Sequence, residues 1–173
     1  MEILANKAQW VDTYRDNWLA YAQEHGKANW TLYKHPRNQE TPGTKGVKLS
    51  DSRLMLISST GAYLDGQQEA FDAASLYGDY TIRTFPTTTP FSALEYAHDH
   101  YNQTMIRQDA RVALPLPYLQ EMVETGELGS LAPSVVSFMG YQPNSARVVD
   151  EMIPQIVAQA KAEEVDAALL APV

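Results

Sequence analysis

The chain has 173 residues, and its 13 Lys and Arg against 21 Asp and Glu give a formal net charge of −8. This acidic balance disfavours nucleic acid and anionic membranes as partners, because both are bound largely through Lys and Arg. The sequence contains no cysteine, which excludes disulfides, thiolate metal sites and thiol redox chemistry within it. No apolar run approaches the roughly 20 residues of a membrane span, and the first residues lack a secretory signal pattern. We therefore expect a cytoplasmic protein with neither membrane nor nucleic acid as a partner.

An amphipathic helix is predicted for the first 25 residues, with Gly26 at its end. Its aromatic residues recur at steps of four, four and three, which places them on one helical face. These residues are Trp10, Tyr14, Trp18 and Tyr21. We interpret this face as a packing surface, either against the rest of the chain or against a second copy. In the second case the helix would form the contact between the subunits of a homo-oligomer.

The region from 27 to 51 lacks periodicity and contains several Pro and Gly residues, which predicts an extended arm. A stretch of about 25 residues is long for a loop inside a domain. The sequence therefore divides into an N-terminal helix and arm, 1–50, and a main domain, 51–173.

Strands and helices alternate in the main domain. Short apolar runs predict strands over 54–57, 80–85, 134–140 and 167–171. Helices are predicted over 117–125 and 145–164, with a kink or a helix restart at Pro154. The last strand–helix–strand succession is a βαβ unit, whose two strands run parallel. We expect an α/β fold with a Rossmann-like, mainly parallel sheet and flanking helices.

Ligands of open parallel sheets bind beyond the carboxyl ends of the strands. In this sequence those positions are 58–61, 138–140 and 172–173. The 58–61 loop is rich in hydroxyl groups and ends in glycine. Its backbone N–H groups could hold an anion, or its hydroxyls could cap the turn itself. The fingerprints of dinucleotide-binding, P-loop, zinc-protease and serine-hydrolase enzymes are absent from the sequence.

Three further side chains are candidates for chemistry. His98 and His100 would lie on one side of an extended segment and could share a metal ion, but no third ligand accompanies them and we predict no metal. The alternatives are a proton-handling histidine beside a site and an ordinary structural or surface pair. Arg83 could clamp a substrate carboxylate with its planar guanidinium, or could pair with Asp79.

Segments spread over 53–173 form an ordered series that resembles a known family. They are 54–63, 78–83, 97–102, Asp109, 114–116, 129–140 and 164–170. Their order and spacing are similar to those of the selenoprotein B family, the selenocysteine subunits of glycine, sarcosine, betaine and D-proline reductases. The resemblance is strongest over 129–140, which ends in Ser-Phe-Met-Gly.

The resemblance also implies a reactive residue after the last strand. In that family the strand matching 167–171 is succeeded closely by the reactive selenocysteine or cysteine, and this sequence stops at Val173, near that position. Because selenocysteine is encoded by UGA, we expect the chain to be an N-terminal part that ends at an in-frame UGA. Without further strands, Leu169 and Leu170 of the strand predicted over 167–171 would be left exposed to solvent. We therefore expect the isolated chain to be unstable or prone to aggregation.

The implied activity is reductive cleavage of a C–N bond in a small amino acid or derivative of the glycine, sarcosine, betaine or D-proline class. In such enzymes another reductase subunit supplies a pyruvoyl group that holds the substrate amine, the selenolate attacks the substrate carbon, and a dithiol system supplies electrons. No cofactor is expected on this chain itself, which would be inactive alone as given.

The resemblance implies a site lined by residues from several segments. They are Ser58, Ser59, Thr60, Gly61, Arg83, His98, His100, Phe138, Met139 and Gly140. Arg83 or the 58–61 loop would hold the substrate carboxylate, and His98 or His100 would handle protons as the catalytic histidine.

Two alternatives compete with a truncated reductase subunit. A non-catalytic relative could use the same loops to bind a small carboxylate or to assemble with other subunits. An unrelated hydrolase or metal enzyme could use His98 and His100.

Overall fold

The computed structural model describes residues 4–38 and 46–173, and a mainly parallel sheet lies at its centre. Its strands are β1 (Arg53–Ser58), β3 (Arg83–Pro86), β5 (Ser130–Leu131), β6 (Ser134–Ser137) and β7 (Ala167–Ala171). Two further strands, β2 (Ala62–Leu64) and β4 (Leu94–Tyr96), form a separate antiparallel pair. The α/β fold class and the mainly parallel sheet predicted from the sequence are confirmed.

Strand β1 occupies the middle of the sheet. It pairs in parallel with β7 along one side and with β5 and then β6 along the other. Strand β3 closes the β6 side in an antiparallel arrangement. Because β6 and β7 are both parallel to β1, the predicted βαβ unit is also confirmed.

Helices cover both faces of the sheet. Helix α1 combines α-helical Lys7–Thr13, π-helical Tyr14–Leu19 and α-helical Ala20–His25. Helix α2 is Thr104–Gln108 and helix α3 is Leu116–Glu124. Helix α4 combines Ser145–Arg147, a π-helical stretch Val148–Met152 and Ile153–Ala162. Short 3₁₀ turns lie at Trp30–Leu32, Leu49–Asp51, Phe91–Ala93 and Ala110–Val112.

Alternate residues of β1 enter two different clusters of the core. Leu54 and Leu56 pack with residues of α3 in one cluster, while Met55 and Ile57 pack with residues of α4 in the other. Burial on both faces explains why the strand is a continuous apolar run rather than an alternating one.

The aromatic face of α1 packs against the chain's own main domain. Trp10, Tyr14 and Trp18 are buried in a cluster that includes Ala146 of α4. Gly26 ends the helix with φ +63°, as the sequence predicts. Of the two interpretations of this face, the structure contains the intrachain one. Part of the predicted arm, 39–45, lies outside the described residues, and the remainder has no strand.

Three local predictions differ from the structure. The strand expected over 134–140 ends at Ser137. The strand expected over 80–85 begins only at Arg83, because Asp79 accepts hydrogen bonds from the backbone and hydroxyl of Thr81 and so holds a turn there. The irregularity expected at Pro154 takes the form of the π-helical stretch just before it. A π-helical turn is wider than an α-helical turn. It suits a proline, which has no N–H to donate to the carbonyl four residues earlier in an α-helix.

Strand β7 has the predicted bounds and forms one edge of the described sheet. Its two leucines are open to solvent, with Leu169 37% and Leu170 67% exposed. Within the described residues no helix is long and apolar enough to cross a membrane.

Candidate functional site

Three chain segments meet at the carboxyl ends of the parallel strands. They come directly after β1, β6 and β7, and are the 58–61, 138–140 and 172–173 segments. The N–H of Gly61 donates to the Phe138 carbonyl over 2.9 Å, and the N–H of Val173 donates to Ser59 Oγ over 3.0 Å. The three ligand-binding positions predicted from the sequence thus form one hydrogen-bonded group.

The hydroxyl groups of the 58–61 loop are engaged with backbone. Ser58 Oγ lies 3.2 Å from the Ala171 carbonyl oxygen, to which the Ser59 N–H also donates. Thr60 Oγ1 accepts from the N–H of Ala62 at 3.3 Å. These groups join the strand ends together, so anion binding by the loop stays a prediction.

Two glycines allow the segments to approach closely. Gly61 has φ +67°, and a Cβ there would lie 2.4 Å from the Ala97 carbonyl oxygen. A Cβ on Gly140 would lie 3.0 Å from Nε2 of His98 and 3.3 Å from Cβ of Ser59. Glycine at both positions lets the loop that carries His98 pack directly on the strand ends.

His98 is buried, only 3% exposed, and its two ring nitrogens differ. Nδ1 accepts from the backbone N–H of His100 at 3.1 Å, so the ring proton of the neutral imidazole is on Nε2. Nε2 has no hydrogen-bond partner among the described residues and faces Gly140. The side-chain amide of Gln103 donates to the His98 carbonyl at 2.7 Å, which holds the loop.

Burial lowers the pKa of His98 below its ordinary value of 6.5; nearby His100 lowers it too, while Asp99 opposes the shift. We predict that His98 stays neutral down to a lower pH in the folded chain than in the unfolded chain. The neutral form therefore contributes stability that is present above pH 6.5 and is lost as the pH falls through the lower folded-state pKa. Imidazole NMR titration of the folded chain and of the chain in urea measures both midpoints.

The variant His98→Gln provides the control for this prediction. Its unfolding free energy should change less between pH 7 and pH 5 than that of the parent chain. A folded-state midpoint at or above that of the urea-unfolded chain would contradict the prediction.

His100 is exposed and stacks on Tyr141, with ring centroids 3.9 Å apart and planes at 15°. The His98 and His100 rings are 5.8 Å apart and nearly perpendicular, because the segment is a turn rather than the expected extended stretch. Over 4–38 and 46–173, no three His, Cys, Asp or Glu side chains come together as metal ligands. The structure therefore brings both histidines to the site but gives them different environments.

Arg83 lies at the start of β3, paired in register with Ser137. Its guanidinium donates to the carbonyls of Glu69 and Ile82 and to Thr81 Oγ1, and it lies 4.5 Å from the ring centroid of Phe71. These contacts fix the segment before β3. A role in holding a substrate carboxylate, which would compete with them, stays a prediction.

Sequence reasoning missed the tyrosine contributions to this region. Tyr101 donates from its hydroxyl to the Thr60 carbonyl at 3.1 Å, and burial raises its pKa to about 12, which keeps it a donor. Tyr141 follows Gly140 directly and supports His100. The only sequence signal for either is its position next to a predicted site residue.

Comparison with known proteins identifies the family of the chain. The model of the family described as glycine/sarcosine/betaine reductase selenoprotein B matches residues 21–173. The chain belongs to this selenoprotein B family. It is also 27% identical over 130 residues to the D-proline reductase subunit gamma of Acetoanaerobium sticklandii.

The similarity to the D-proline reductase subunit covers 75% of this chain and 51% of the relative. The chain thus spans about half the length of that curated relative. No solved structure matches the chain. Selenoprotein B membership makes the chain part of an oxidoreductase family, as the resemblance predicted.

Proposed function

We propose that this selenoprotein B chain takes part in reductive C–N bond cleavage of a small amino acid or derivative, with a selenocysteine or cysteine located just beyond Val173. The observation that carries the proposal is the hydrogen bond from the Val173 N–H to Ser59 Oγ. It joins the end of β7 to the loop after β1, so that the next residue would emerge at the carboxyl ends of the parallel strands. α/β enzymes bind their ligands at that edge.

The surroundings of Val173 suit a reactive chalcogen. A Cβ added to Gly140 would lie 3.3 Å from Cβ of Ser59 and 3.0 Å from Nε2 of His98, so both side chains lie close to this glycine. Nε2–H of His98 is a buried donor without a partner in the described parts of the chain. A buried donor of this kind is stabilised when it meets an anionic acceptor.

When the selenolate or thiolate is present, it would act as the nucleophile that attacks the substrate carbon. This chain's own residues would then have three tasks. Ser59 fixes the position of the segment after β7, and His98 or His100 handles the proton. The substrate carboxylate is assigned to the 58–61 loop or to Arg83.

Other subunits complete the proposed reaction. A reductase partner would supply a pyruvoyl carbonyl that holds the substrate amine, and a dithiol system would supply the two electrons. The open edge of β7, with Leu170 67% exposed, provides apolar surface that further sheet or a partner subunit would cover.

The nucleotide sequence after codon 173 tests the proposal directly. We expect UGA, and after it an open frame that encodes a cysteine within a few codons and further α/β sequence. Mass spectrometry of the protein from its natural source should then detect selenium in a chain longer than 173 residues. UAA or UAG, or a selenium-free product of 173 residues, would overturn the redox assignment.

A non-catalytic subunit of the same fold is the second candidate. The absence of cysteine from the sequence favours it, because no thiol nucleophile is present within the 173 residues. This candidate predicts binding of small carboxylates without dithiol-driven turnover, and a folded, monodisperse chain of 173 residues.

A further inference from the structure

A network of side-chain hydrogen bonds supports the loop that carries His98. The side-chain amide of Gln103 donates from Nε2 to the His98 carbonyl at 2.7 Å. Its Oε1 accepts from Nε and Nη2 of Arg107, at 3.2 and 3.0 Å. Nη1 of Arg107 donates to Oε2 of Glu95 at 2.9 Å. The network therefore runs from strand β4, which contains Glu95, through helix α2 to the backbone of His98.

Arg107 fixes the orientation of the Gln103 amide. A glutamine amide has a donor end and an acceptor end, whereas a guanidinium has donors only. Two N–H groups of Arg107 bind the amide oxygen, and the amide NH₂ group is left to face the His98 carbonyl. A reversed amide would place donors against Arg107 and an oxygen against a carbonyl oxygen, so only this orientation satisfies both partners.

The network starts close to the strand ends and is not a major source of stability. Glu95 pairs in register with Tyr63 of β2, and β2 starts at Ala62, directly after the 58–61 loop. Of the ion pair, 47% of the Arg107 side chain and 40% of the Glu95 side chain are exposed. Exposed ion pairs of this kind contribute little to the free energy of unfolding. We therefore expect the members of the network to be replaceable without unfolding the chain.

The His98 ring depends on its own backbone for its place at the site. Nδ1 of the ring accepts from the N–H of His100, which belongs to the same loop. Nε2 has no hydrogen-bond partner in the described parts of the chain, and a Cβ on Gly140 would lie 3.0 Å from it. Because neither nitrogen bonds to the strand ends among these residues, the loop backbone decides where Nε2 points.

The loop is held on both sides of His98 and at His98 itself. The N–H of Ala97 and the hydroxyl of Tyr101 donate to backbone carbonyls of the 58–61 loop, at 2.9 and 3.1 Å. These two contacts fix the flanking residues. The Gln103 amide acts on the His98 carbonyl, one peptide group away from the ring that it would orient.

We propose that Gln103 is a positioning residue. Fixed by Arg107, it holds the His98 backbone so that Nε2 of the ring faces Gly140 at the carboxyl ends of the parallel strands. The inference rests on the proposed function for the use made of the ring, since proton handling by His98 belongs to that proposal. The placement of the ring is a property of the fold and is measured without any activity.

Exchange of the histidine C2 proton in D₂O, followed by mass spectrometry, tests this placement in the protein at its natural full length. The exchange should be slow at buried His98 and faster at exposed His25 and His35, which serve as internal references. The variant Gln103→Met keeps the side-chain length but has neither amide group. Exchange at His98 should then accelerate by about fivefold or more, because the loop opens locally, while the references stay unchanged.

Gln108→Met is the matched control, because it makes the same substitution at an exposed position of the same helix, outside the network. Its exchange at His98 should equal that of the parent. Arg107→Met should accelerate exchange less than Gln103→Met, because the donor remains but its orientation is no longer fixed. An unchanged His98 rate in Gln103→Met with a native circular dichroism spectrum would overturn the proposal. If that variant does not fold, an unchanged rate in Arg107→Met would overturn it instead.

Turnover separates a positioning role from a purely structural one. In the complete reductase, Gln103→Met should lower kcat about tenfold or more with little change in KM, because a displaced proton-transfer group affects the chemical step. Accelerated exchange at His98 without a fall in kcat would overturn the positioning role. A lack of dithiol-driven turnover in the parent would count against the proposed function alone, since the exchange rates decide the placement of His98 independently.

Discussion

The variant Gly61→Ala should lose about 2–4 kcal/mol of unfolding free energy. The left-handed backbone at φ +67° costs a non-glycine residue about 1 kcal/mol. The added Cβ would also lie 2.4 Å from the Ala97 carbonyl oxygen, and relieving such overpacking typically costs about 1–3 kcal/mol. The loop cannot shift freely, because the Ala97 N–H donates to the Gly61 carbonyl over 2.9 Å. Urea unfolding monitored by fluorescence measures the loss.

Gly66→Ala is the matched control. Gly66 has φ +66°, almost the same as Gly61, but nothing lies within 4 Å of the Cβ that would be added. This variant should lose only about 1 kcal/mol, the backbone contribution alone. Equal losses for the two variants would contradict close packing between the 58–61 loop and the segment that carries His98.

Replacement of Trp18 by alanine should cost about 3–5 kcal/mol, the range found for large aromatic residues removed from a core. Trp18 is fully buried, with Tyr14 stacked on it at 5.4 Å and Trp30 packed at the same distance. Because Trp30 also contacts Tyr141, the packing continues into the main domain. We therefore expect one cooperative transition with a lower midpoint, measured by urea unfolding with both fluorescence and far-UV circular dichroism.

Trp18→Phe separates ring packing from the indole N–H. Nε1 of Trp18 is buried and has no partner within the described residues, so losing it removes no hydrogen bond seen there. Phe keeps an aromatic ring, so this variant should lose clearly less than Trp18→Ala. Two separate transitions in Trp18→Ala, with the main one unshifted, would instead show that 1–50 folds independently of 51–173.

Much of the fold follows from local patterns. The strand 167–171 is read from an unbroken apolar run, and the end of α1 from Gly26, because backbone conformation at these places depends on nearby residues. The apolar β1 sequence signals burial on both faces, and hence a parallel sheet. The prediction of a strand over 80–85 was wrong for its first half, because Asp79 and Thr81 form local hydrogen bonds that compete with strand pairing.

The sequence predicted which segments meet at the strand ends, but it did not predict their side-chain contacts. The rule that ligands bind at strand carboxyl ends brought together the 58–61 and 138–140 loops, and the structure joins them by the Gly61–Phe138 hydrogen bond. The difference in burial between His98 and His100 could not be predicted from the sequence, because it depends on a turn that buries one ring and exposes the other. The contacts of Arg83 were not predicted because most of its hydrogen bonds run to backbone carbonyls, which every residue has.

The sequence by itself determined the α/β class, the βαβ unit, the family and the strand ends where ligands would bind, since these depend on periodicity and on short motifs. Only the tertiary structure decided which nitrogen of His98 carries the proton and where the aromatic helix packs. It alone also put Trp30 beside Tyr141, more than 100 positions later in the chain. Contacts over such separations depend on how whole elements pack, and no local pattern of residues encodes them.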